Sequence, residues 1–189
     1  MFEIGNQDEQ RLVERLRNGE NGAMREFYSL YADQLAGICA RYIPDNQDMK
    51  DVFQESLISI ITNITDLDFR GAGSLKAWAS KVVVNESLKF LNDAKRQELR
   101  LLDYDVADEP EDDDPPISDI PPDEIQRMVS QLPTGYRTVF NLYVFEHRSH
   151  QEIASLLGIK ETSSASQLCR AKNLLAKMIR EYNNQQFPR

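Results

Sequence analysis

Lys81, Asn85 and Lys89 stand four residues apart in a stretch whose apolar residues repeat at helical spacing. One helix face would therefore carry a carboxamide between two ammonium groups. That set suits nucleic acid, because lysines neutralise phosphates while an amide reads base edges. A second set lies near the C-terminus. If Leu168, Ala171, Leu175 and Met178 form the buried stripe of a helix, Ser163, Ser166, Cys169, Arg170 and Asn173 fall on or near its opposite face. A small polar face of this kind fits a major groove about 12 Å wide, and Arg170, Lys172 and Lys177 reach towards phosphates. A third set, Asp51, Gln54 and Glu55, takes the polar side of a helix that holds Val52, Phe53 and Leu57, the composition of a protein-docking surface. Each set also fits an ordinary solvated helix face, so none decides alone.

Other chemistries find no constellation. His147 and His150, the two histidines, lack a carboxylate or cysteine at ligand spacing, so no metal site is expected. Gly71 and Gly73 are not followed by the residues of a phosphate-cradling loop. No nucleophile is paired with a base, and neither catalysis nor a cofactor is expected. Cys39 and Cys169 lie on separate helical stretches, which reads as reduced thiols in a cytoplasmic protein. Met1-Phe2-Glu3-Ile4 lacks the pattern of a secretory signal, and no run of about 18 apolar residues suggests a membrane span.

The elements that position these sets are helical throughout. Leu12, Val13 and Leu16 mark an opening helix ending near Gly19. Ala23, Phe27, Leu30, Tyr31, Leu35, Ile38 and Tyr42 mark a second, stopped by Pro44. A third starts near Asp45–Asp48 and buries Met49, Val52, Phe53, Leu57, Ile60 and Ile61. A loop over Phe69-Arg70-Gly71-Ala72-Gly73-Ser74 precedes a helix that opens with Leu75, Trp78, Ala79, Val82 and Val83 and runs on towards Arg100. From Leu132 to Ile179 the pattern is a helix, a turn, a short helix, a glycine turn at Gly158 and a longer helix. Ser149-His150-Gln151-Glu152 is a capping box opening the short helix. This is the sequence form of a DNA-binding helix-turn-helix.

The net charge of −9 is unevenly spread. Residues 1–100 carry 13 Lys and Arg against 16 Asp and Glu, residues 101–125 carry 11 acids and no base, and residues 126–189 carry 9 bases against 4 acids. The acidity thus belongs to a Pro-rich stretch (Glu111-Asp112-Asp113-Asp114, Pro115-Pro116, Pro121-Pro122), expected to be an extended flexible linker beside a basic module. The expectation is an all-α chain of two small helical domains, 1–100 and 124–189, joined by an acidic linker over 101–123, with the helix-turn-helix in the second.

Two blocks in order carry a family resemblance. Asp51-Val52-Phe53-Gln54-Glu55, then Phe69-Arg70-Gly71 through Trp78 to Val84-Asn85, resembles the polymerase-binding and promoter-melting domain of bacterial sigma factors. Leu132-Pro133 with Tyr136-Arg137 and Val139-Phe140, then Ser149 to Ala154 and Leu157-Gly158-Ile159, resembles their promoter-reading domain. With only these two domains, the chain resembles the compact extracytoplasmic-function group. The resemblance implies that the chain binds core RNA polymerase and directs promoter recognition and transcription initiation. It implies that Asp51, Gln54 and Glu55 grip the polymerase β′ clamp. Phe69, Arg70, Lys76, Lys81, Asn85 and Lys89 would engage the downstream promoter element and hold a strand open. His150, Gln151, Ser163, Ser164, Ser166, Gln167, Cys169, Arg170 and Lys172 would read the upstream element as duplex. The implied partners are the β′ and β subunits of the polymerase, promoter DNA and an anti-sigma factor, a membrane-anchored one included, with no direct membrane insertion of this chain. The chain departs from the family pattern where Lys160 replaces a frequent capping serine, and where Ala165 and Gln167 replace frequent Lys or Arg. Each lost phosphate contact lowers the salt slope of binding by about 0.9. The rival readings are a stand-alone helix-turn-helix transcriptional regulator, which would bind an operator without polymerase, and a decoy that captures an inhibitor and reads no DNA.

Overall fold

The computed structural model describes residues 5–95 and 120–186. Among them the elements are α-helices and one short 3-10 turn, as the all-α expectation requires. Contacts divide the chain into two compact units, Met1–Leu91 and Asn92–Arg189. The expected linker, up to Asp119, lies outside the described residues, as do Arg96, Glu98 and Arg100.

The first unit holds α1 (Asn6–Arg17), α2 (Ala23–Tyr42), α3 (Asn46–Thr62), a 3-10 turn (Ile64–Asp66) and α4 (Ser74–Lys95). α1 packs on α2 and on the 3-10 turn, and α2 packs on α3. Leu12, Phe27, Leu35, Tyr42, Ile60, Leu75 and Val83 are fully buried. Each such large apolar side chain contributes about 1.5–3 kcal/mol by leaving water. Asp45 caps α3, its Oδ1 accepting from the amides of Gln47 and Asp48, each at 2.9 Å, an arrangement worth about 1 kcal/mol. Two residues expected inside are not there: Leu30 is 38% exposed and Ile61 43%. Both sit a quarter turn or more from the centre of their helix's buried stripe, where period alone does not separate flank from core.

The second unit holds α5 (Pro122–Ser130), α6 (Thr134–Val144), α7 (His150–Leu157) and α8 (Glu161–Gln186). α8 packs against α5, α6 and α7. Met128, Val129, Leu132, Ala171 and Leu175 form its core, flanked by Tyr136, Phe140, Leu174 and Met178. The Ser149 capping box is present: Glu152 N donates to Ser149 Oγ at 3.2 Å, and Ser149 N donates to Glu152 Oε2 at 2.9 Å. Gly158 closes α7 with φ +66°, a left-handed conformation open to glycine without a Cβ penalty. The glycine turn ends α7 and lets the chain turn back so that α8 packs against it. No described helix is long and apolar enough to cross a membrane.

Candidate nucleic-acid interface

On α3, Asp51, Gln54 and Glu55 are all exposed, with Gln47 Nε2 donating to Asp51 Oδ1 at 3.2 Å. The same face continues through Ile58, 56% exposed, and Ile61. The sequence reading placed Ile61 inside and did not name Ile58. Two β-branched apolar side chains left in water beside acids and an amide give this face an apolar centre with a polar rim, the anatomy of a protein interface.

On α4, Lys81, Asn85 and Lys89 are exposed along one stripe, as their spacing required, and Lys76 is half-buried. Lys89 Nζ lies 3.4 Å from Glu86 Oε2. An exposed pair of that kind contributes little and yields readily to a phosphate. Trp78 is half-buried. Just before α4, Phe69 is half-buried and Arg70 exposed. Arg70 Nε donates to Asp68 Oδ2 at 2.7 Å, while the Arg70 amide donates to Ser74 Oγ at 3.0 Å. The loop thus presents an aromatic ring and a guanidinium beside the amino end of the basic helix.

On α8 the sequence-derived set divides. Ser166 and Lys172 are exposed, and Ser163, Cys169 and Arg170 are half-buried. Ala165 is also exposed, so the outward face runs through 162, 165, 166, 169 and 172. Ser164 and Gln167 are corrected: they are 0% and 2% exposed and offer nothing to a groove. The reason is geometric. They stand seven and four residues before Ala171 and therefore extend its buried stripe back towards the helix start. That signal was legible in the sequence, whose helical periodicity leaves both off the outward face; only the family resemblance named them. Ser164 has an inward role, since its Oγ lies 3.0 Å from Nδ1 of His150, the first residue of α7. The His150 ring stacks on Tyr143 of α6, with centroids 4.8 Å apart and planes at 21°. His150 is half-buried, so it joins three helices besides lying near the proposed reading face. Gln151 is exposed. The Glu152 carboxyl is held below its usual range by the Ser149 amide first, then by the Arg148 guanidinium.

Arg137 too has a role that the sequence did not assign. It is 6% exposed, and burial pulls its pKa down. Its Nη1 donates to the carbonyl oxygens of Leu132 at 2.6 Å and Ser130 at 3.2 Å. It thereby satisfies backbone acceptors at the end of α5, tying that end to α6.

Comparison with known proteins gives two family matches, one on each side of the acidic stretch. "Sigma-70 region 2" matches residues 27–97 and "Sigma-70, region 4" matches residues 123–175. An ECF RNA polymerase sigma-E factor of Haemophilus influenzae is 29% identical over 182 residues, covering 90% of this chain and 95% of the relative. An RNA polymerase sigma-H factor of Pseudomonas aeruginosa is 25% identical, covering 92% and 94%. The ECF sigma factor SigW of Bacillus subtilis is 23% identical, covering 89% and 95%.

Proposed function

The chain belongs to the sigma-70 family, as a sigma factor of the ECF type that directs transcription initiation, and from that premise we propose which faces do the work. The α3 face of Asp51, Gln54, Glu55, Ile58 and Ile61 docks on core RNA polymerase, at the β′ clamp. The Phe69–Ser74 loop and the Lys81, Asn85, Lys89 stripe engage the downstream promoter element and hold one strand unpaired. Unpaired bases stack on aromatic rings and expose edges that a duplex hides. The outward face of α8, with Ser166, Cys169, Arg170 and Lys172, reads the upstream element in the major groove, with Gln151 beside it. The chain acts by binding and leaves the chemistry to the polymerase. An anti-sigma factor would work by covering the α3 face.

The observation that carries this reading is the α3 face. A helix of a packed unit leaves two isoleucines in water in line with the three polar residues named from the sequence. Two apolar groups in line with polar ones on a single exposed face form the composition of a docking surface.

Transcription in vitro with core polymerase and a pooled promoter library tests the function. Defined start sites that appear only with this chain support it. Operator binding without polymerase would favour the stand-alone regulator instead. Ile58→Asp puts a charge at the apolar centre of the docking face without touching the core. It is expected to weaken association with core polymerase about a hundredfold and to leave the unfolding temperature unchanged. Unchanged association would remove the α3 face from the reading.

A further inference from the structure

Glu9 is a carboxylate with 2% of its surface exposed, and both its oxygens accept from one place outside α1. Gly73 N donates to Oε2 at 2.6 Å, and Leu75 N donates to Oε1 at 2.7 Å. Those amides begin α4, where unsatisfied N–H groups and the helix dipole favour a negative charge. One helical turn pair further on, at the other end of α1, the Arg17 guanidinium donates to the carbonyl oxygen of Leu67. The segment between these anchors carries Asp68, Phe69 and Arg70. It is also closed on itself by the bond from the Arg70 amide to Ser74 Oγ at 3.0 Å. Gly73 has φ +86°, so its amide reaches Glu9 through a conformation that other residues adopt only with strain.

A buried carboxylate is costly unless its hydrogen bonds are complete. Here each oxygen accepts one bond from the loop's own backbone, so the burial of this carboxyl group and the loop geometry depend on each other. Tyr31 stands beside the same carboxylate, its pKa pushed up to about 12 by burial and then by Glu9. α1 lies outside the 27–97 span matched to sigma-70 region 2.

We propose that α1 is a two-point clamp that presets the Asp68–Gly73 loop for capture of an unpaired promoter base, with Glu9 and Arg17 as positioning residues. The proposal rests on reading that loop as a contact to the downstream element. A loop held in its binding shape before DNA arrives does not lose its conformational freedom at the moment of capture. Glu9 fixes the side leading into α4, and Arg17 fixes the side leaving the 3-10 turn.

The test uses the full chain with core polymerase and a promoter recovered from the library, with 2-aminopurine in the downstream element reporting unpairing. Glu9→Gln keeps the size but turns an amide N–H towards a backbone N–H. Open-complex formation is expected to fall about tenfold, with affinity for core polymerase unchanged. On a template already unpaired across that element the defect should shrink, which a general loss of folding would not produce. Arg17→Ala, at the exposed end of the clamp, should give a smaller loss of the same kind and decides the matter if Glu9→Gln does not fold. Phe69→Ala separates the two readings. If Phe69→Ala is defective while both clamp variants open promoters normally, the clamp is overturned. If Phe69→Ala also opens normally, the loop's contact with DNA is overturned instead. Equal loss of core-polymerase affinity in the clamp variants would also overturn it, by making Glu9 and Arg17 general structural residues.

Discussion

Arg137→Ala should destabilise the second unit while leaving the first as stable as before. The guanidinium is buried and supplies donors to the carbonyl oxygens of Leu132 and Ser130. Removing it leaves those acceptors in an apolar setting next to the Met128, Val129 and Leu132 side of the core. The expected cost is about 3 kcal/mol, a large part of the stability of a small helical unit. Lysine cannot replace it, because a single ammonium lacks the planar fork that reaches acceptors from a fixed geometry. The chain supplies its own control. Its one tryptophan, Trp78, sits on α4 in the first unit. In urea, helix content followed by circular dichroism should show an early transition in Arg137→Ala, while the Trp78 fluorescence transition stays in place. Promoter-specific transcription should fall at least tenfold, and association with core polymerase should persist. A single unshifted transition by both probes would show that the α5–α6 junction does not depend on Arg137.

Three substitutions at Ala165 and Gln167 separate what residue type suggests from what burial dictates. The family resemblance implies Lys or Arg at the positions of Ala165 and Gln167, so adding lysine at either would be expected to strengthen DNA binding. The fold says otherwise for one of them. Ala165 is exposed on the outward face of α8. Ala165→Lys should leave stability within about 0.5 kcal/mol and steepen the dependence of log K on log salt by about 0.9. Gln167 is 2% exposed, and its Oε1 has no hydrogen-bond partner among the described residues. Gln167→Lys places an ammonium in that setting and should cost about 2–4 kcal/mol. Gln167→Met, which removes the orphaned oxygen, should hold or raise stability. Thermal unfolding and salt titrations of promoter binding check all three. A Gln167→Lys protein as stable as the parent, with a steeper salt slope, would show that position 167 faces the groove after all.

Much of the architecture follows from local rules. Helix ends were legible where a cap or breaker stands: Asp45 before α3, Ser149 and Glu152 at α7, Gly158 after it, Pro44 after α2. The stripe of Lys81, Asn85 and Lys89 was legible because three residues at a four-residue spacing share a face whatever they pack against. What failed was the flank of each apolar stripe. Leu30 and Ile61 looked buried because they are apolar, and Ser164 and Gln167, which the family resemblance set at the groove, are polar residues on the buried stripe. In each case the helix position was right, and the residue type or the resemblance misled.

The division has a physical basis. Period, capping chemistry and charge blocks act within a turn or two of helix, so they fix which segments are helical, where each begins, and which residues share a face. They also carry the two family blocks and the acidic stretch between them. Contacts between different elements leave no trace in the pattern of either one. Only the packed structure sets Glu9 on the amides of Gly73 and Leu75, His150 on Ser164 and Tyr143, and Arg137 on the end of α5. Those contacts decide how the exposed faces are held, because a buried polar group must find its partner wherever the chain brings one.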